Sequence, residues 1–87
     1  MKITVVRSGG FAGISRTWQV QLVSSAEFDA WNDLLRELPW DERPQTAPQP
    51  DRFVYRIRVS RRRITLPEQQ VRGLWRELVT RVQNADG

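Results

Sequence analysis

The run Phe53-Val54-Tyr55-Arg56-Ile57-Arg58-Val59 constrains this chain more than any other stretch. Its residues alternate with a period of two, which is the repeat of a β-strand and not of a helix. Phe53, Tyr55, Ile57 and Val59 share one side, while Arg56 and Arg58 share the other. Such a strand has one apolar side that must be covered and one cationic side that can face water. The fold must therefore supply a layer on one side only.

Two earlier runs repeat the theme. Ile3 to Arg7 puts Ile3 and Val5 on one face, and Arg16 to Leu22 puts Trp18, Val20 and Leu22 on one face. Ser8-Gly9-Gly10-Phe11-Ala12-Gly13 lies between them, so the two runs predict an antiparallel hairpin with a longer than minimal connection. Ser24 or Ser25 suits the cap of a new helix, and Ser24 followed by Glu27 fits a capping box, in which each side chain satisfies a free backbone donor. Phe28, Trp31, Leu34, Leu35 and Leu38 then recur at helical spacing, and Pro39 stops the helix near Leu38.

Pro39 to Pro50 holds four prolines and few apolar residues, and reads as a surface loop. After the strand Phe53–Val59, Ser60-Arg61-Arg62 turns the chain into a short strand, Arg63 to Leu66. Pro67 suits the first position of a helix, where its missing donor is not needed, and Glu68 suits the positive end of the helix dipole. Val71, Leu74, Trp75, Leu78, Val79 and Val82 form the apolar stripe of that closing helix, with 84–87 as a frayed tail. The order is ββαββα. It predicts an α+β fold, a four-stranded antiparallel sheet with two helices packed on one face, in a single domain over 1–87.

Composition narrows the chemistry. The 87 residues include no cysteine and no histidine. Thiol chemistry, the commonest general base and the commonest transition-metal ligand are therefore missing. The carboxylates Glu27, Asp33 and Glu37 read as the solvated face of the first helix, and no calcium-loop pattern occurs. These features point to a binding protein, not an enzyme, with no cofactor and no metal. Met1 to Arg7 lacks the apolar length of a signal peptide, and no run of about 18 apolar residues occurs, so no membrane span is expected.

Charge is unevenly distributed. Arg52 to Arg63 carries six arginines and no acid, while Glu27 to Glu42 carries six acids against Arg36 alone. An arginine edge of this kind suits phosphate contacts, which makes a small nucleic-acid-binding domain the alternative reading. Against it, there is no helix-turn-helix spacing, zinc finger or stacking-aromatic pattern. Two residues stay open. Phe11, at the tip of a glycine-rich connection, either folds back on the core or protrudes as an anchor. Trp40 either plugs the end of the core or contacts a partner.

Several segments resemble the emfourin family, protein inhibitors of protealysin-like, thermolysin-type zinc metallopeptidases. They are Lys2-Ile3-Thr4-Val5-Val6-Arg7-Ser8-Gly9-Gly10-Phe11-Ala12-Gly13-Ile14, Leu38-Pro39-Trp40-Asp41, Asp51-Arg52-Phe53-Val54-Tyr55-Arg56-Ile57 and Thr65-Leu66-Pro67-Glu68. The resemblance covers nearly the whole chain, in a compact form. It implies a cytoplasmic bacterial inhibitor, usually encoded beside its target peptidase. The expected contact is Ser8, Gly9, Gly10, Phe11, Ala12, Gly13 and Ile14 entering the active-site cleft. Arg7, Trp40, Arg61 and Arg62 are secondary candidates, and the protein is expected to act as a monomer.

Overall fold

A computed structural model of the chain describes residues 1–9, 13–41 and 52–86. Four strands, β1 (Lys2–Gly9), β2 (Arg16–Gln21), β3 (Phe53–Val59) and β4 (Arg62–Pro67), form one antiparallel sheet in the order β2-β1-β3-β4. Helices α1 (Ser25–Glu37) and α2 (Leu74–Asp86) complete the expected ββαββα order. β1 sits centrally, with Val5 opposite Trp18 on one side and Ile57 on the other.

This register places the buried core residues of all four strands on one side. Ile3, Val5, Trp18, Tyr55, Ile57, Val59 and Leu66 join Leu34 and Leu38 of α1 and Trp75, Leu78, Val79 and Val82 of α2 in one core. Their burial is the main stabilising term, at about 25 cal/mol per Å² of apolar surface. The other side of the sheet is left to Thr4, Val6, Arg56, Arg58, Arg63 and Thr65, none of them buried. The two helices are tied by Arg81, whose Nη1 donates to Ala30 O at 3.1 Å and whose guanidinium lies 5.6 Å from the Trp31 ring.

Local chemistry sets the start of α1. Glu27 N donates to Ser24 Oγ at 3.1 Å, and Ser24 N donates to Glu27 Oε1 at 3.3 Å, completing the capping box. Leu38, before Pro39, takes extended backbone (φ −62°, ψ 131°), which ends the helix where a pre-proline residue should. Phe28 departs from the expected apolar stripe. It lies in the first turn of α1 and is 37% exposed.

The closing segment corrects two expectations. Pro67 does not open a helix. It ends β4 opposite Val54, on an edge strand where a missing N–H costs no ladder bond. Glu68–Gln70 then form a single 3-10 turn, Val71 leaves it with ψ 82°, and Gly73 adopts φ +59°. Those two conformations interrupt the helical path, so α2 starts only at Leu74, with Glu77 N bonded to Gly73 O at 3.0 Å. Nor do residues 84–86 fray. α2 runs to Asp86, whose Oδ2 accepts from Gln19 N at 3.3 Å. That bond satisfies an outward N–H of the edge strand β2, the kind of group that otherwise invites a foreign strand.

Candidate functional site

β1 is longer than the alternation implied, and this reshapes the β1–β2 connection. Ser8 and Gly9 belong to β1, opposite Val54 and Phe53. Gly9 has φ +106°, and a Cβ there would lie 2.9 Å from Arg52 O. No other residue type fits such an approach without moving backbone. On the far side, Gly13 adopts φ +62° with open space around it, and Ile14 is 66% exposed. A large aliphatic side chain thus stands in water beside a left-handed glycine. Gly10, Phe11 and Ala12 lie outside the described residues, and so do the residues 42–50 of the proline-rich loop.

The base of this connection is built from arginines and aromatic rings. Arg7 and Arg16 are directly opposite each other across β1 and β2. Both share the parity of Val5 and Trp18, so both project from the covered side of the sheet at its end. The Arg7 guanidinium carbon is 4.5 Å from the Phe53 ring centroid and 5.2 Å from that of Trp18, and Arg16 lies 4.9 Å from Trp18. Stacked guanidinium groups of this kind gain from the ring quadrupole. Of this cluster, sequence reasoning singled out only Arg7. Parity with Trp18 was the signal that would have found Arg16.

The remaining candidates lie elsewhere. Ser60 N donates to Lys2 O, so the β3–β4 turn sits at the start of β1, not at its end. Across the eight residues of β1, Arg61 and Arg62 are separated from Gly9 by about 20 Å or more. Trp40 packs edge-on against Trp75 (centroids 5.1 Å apart, interplanar angle 85°), and Arg62 lies 5.9 Å from the Trp40 ring. Trp40 is therefore an end plug of the core, lining a shallow groove with Leu35, Val59 and Arg61. The arginine run itself is divided. Arg56, Arg58 and Arg63 lie on the uncovered side of the sheet with Lys2, and Arg62 lies on the helical side. Among the described residues, no three carboxylates gather where a metal could be held.

A four-stranded sheet thus carries, at one end, two arginines on aromatic rings and glycines fixed by backbone geometry. The sequence profile described as Emfourin matches residues 5–83. The chain belongs to the emfourin family. No curated protein and no solved structure matches it. Emfourins are inhibitors of protealysin-like metallopeptidases and not enzymes, so membership makes this chain a protease inhibitor whose target class is a metallopeptidase. The matched span takes in most of β1, all of β2, β3, β4 and α1, and most of α2. Both the Gly9–Ile14 connection and its arginine base therefore lie within the emfourin match, as do Trp40, Arg61 and Arg62.

Proposed function

We propose that this emfourin inhibits a protealysin-like, thermolysin-type zinc metallopeptidase by seating its β1–β2 connection, Ser8 to Ile14, in the active-site cleft. The observation that carries the reading is the pair of left-handed glycines, Gly9 and Gly13, on either side of residues 10–12, with Ile14 exposed just beyond them. Peptidases of this type hold zinc at the floor of a cleft and favour a bulky apolar side chain just after the scissile bond. Phe11, between the two glycines in sequence, is the side chain assigned to that apolar pocket, and Ile14 packs at its edge. Glycine flanks let an inhibitor backbone approach closely, and strand pairing at Ser8 and Gly9 lowers the ordering cost of binding. A standard interface of about 1,600 Å² in total is enough for tight inhibition. The target is encoded beside the inhibitor, and the two meet in the cytoplasm as one-to-one partners.

Titration of the purified protein into an active protealysin-like peptidase tests this directly. Stoichiometric loss of activity is expected, and Phe11→Ala should weaken it by about 2 kcal/mol, roughly 30-fold, without loss of fold. A folded wild-type protein that leaves the peptidase fully active overturns the reading. Lys2, Arg56, Arg58 and Arg63 on a sheet side without a described carboxylate favour one alternative, phosphate binding to nucleic acid. That alternative requires duplex affinity that collapses as salt rises. Among the described residues the same side offers no aromatic ring for base stacking, which sets the peptidase reading first.

A further inference from the structure

Two arginines bracket the β1–β2 connection, and among the described residues neither has a carboxylate partner. Arg7 stands two residues before Gly9 and Arg16 two residues after Ile14, and the two are direct cross-strand partners. Like charges placed opposite each other in a sheet are destabilising. No carboxylate among the described residues pairs with either one; the ion pairs there are Arg52–Glu68 and Arg81–Glu77.

The aromatic contacts add a second point. Arg7 is flanked by Phe53 at 4.5 Å and Trp18 at 5.2 Å, and Arg16 lies over the same Trp18 at 4.9 Å. A guanidinium carries five N–H donors in a planar fork, which suits a carboxylate that accepts two parallel bonds. A guanidinium already fixed by packing loses less freedom on binding.

We propose that Arg7 and Arg16 form a carboxylate-docking pair for an acidic side chain on the rim of the target peptidase's cleft. The proposal rests on the cleft-seating reading above and names a second contact for it. In this arrangement the connection supplies the apolar anchor, and its base supplies the charged one. The charged contact sets orientation and speeds association, because rim charges act mainly on encounter and on salt dependence.

Arg7→Gln/Arg16→Gln, Arg16→Gln alone, Arg7→Lys and Phe11→Ala are each titrated into the peptidase at about 50 mM and about 500 mM salt, where screening differs strongly. The double variant is expected to weaken inhibition about 30-fold at low salt, with the gap shrinking below about threefold at high salt. Arg7→Lys should keep the salt response of the wild type at reduced affinity, since it retains charge without the planar fork. Phe11→Ala should lose the same factor at both salts. Circular dichroism and melting establish that each variant is folded. Should the double variant fail to fold, Arg16→Gln decides, since Arg16 is exposed on an edge strand, and its expected loss is about fivefold at low salt. Unchanged inhibition in the folded arginine variants, or a loss equal at both salts, overturns the docking pair while leaving cleft seating intact. A wild-type protein inactive at both salts overturns both.

Discussion

The two ends of the sheet use the same ingredients for different results. At one end, β3 and β4 are joined by Ser60 and Arg61 alone, Arg62 lies over Trp40, and Trp40 stacks edge-on against Trp75. At the other, β1 and β2 are joined by six residues, and Arg7 and Arg16 lie over Trp18 and Phe53. Both ends place arginine on aromatic rings. The difference is what lies beyond the rings. Beyond Trp40 is the core residue Trp75, so the stack closes the interior. Beyond Arg7 are the left-handed glycines Gly9 and Gly13 and the exposed Ile14, so the stack supports a surface. Similar contacts therefore stabilise at one end and present at the other.

The largest effect expected from breaking this contrast is at Trp40. Trp40→Ala removes a half-buried ring and its edge-on partner, and should destabilise the protein by about 3 kcal/mol in urea unfolding. At a temperature where the variant stays folded, inhibition should be that of the wild type. Weakened inhibition there would mean that the turn end touches the target, and the division of labour would fall. The glycines offer a finer cut at the other end. Gly9→Ala meets both a positive φ and a backbone carbonyl 2.9 Å away, so a loss of about 2 kcal/mol is expected. Gly13→Ala meets a positive φ of 62° with nothing nearby, so about 1 kcal/mol is expected. Equal losses would show that the approach of Arg52 O relaxes freely.

Much of this could be read in the sequence because local chemistry agreed with the global fold. Alternation in Phe53–Val59 fixed which side of β3 is buried, and Ser24 with Glu27 marked the start of α1. Where reading went astray, two local rules competed. Pro67 is equally at home at a helix start and at the end of an edge strand, and only the long-range pairing with Val54 decides between them. Phe28 fits the helical period, yet the period says nothing about how far the sheet extends beneath the first turn of α1. The role of Gly9 was legible only as a glycine. That Arg52 O stands beside it depends on β1 and β3 meeting across more than forty residues of chain. Arg16 is different, since parity with Trp18 along β2 alone puts it on the covered side at the site.

The smallest effect sharpens the contrast from the turn end. Ser60 is the one non-glycine residue with positive φ among those described, at 55°. It occupies the first position of a two-residue hairpin loop, where glycine or asparagine normally supplies that conformation. A side chain in the left-handed region costs about 1–2 kcal/mol. Glycine removes that cost but loses more freedom on folding, by about 0.4–1 kcal/mol. The bond from Arg58 Nε to Ser60 O, at 3.2 Å, uses the backbone and survives the change. Ser60→Gly should therefore stabilise the protein by about 0.5 kcal/mol, a rise in melting temperature of about 2–4 °C for a domain of this size. Because the turn lies at the far end of β1 from Gly9, inhibition should not change. A lower melting temperature would mean that the serine hydroxyl contributes a bond worth more than the strain. Altered inhibition would mean that the tight end of the sheet is not independent of the open one.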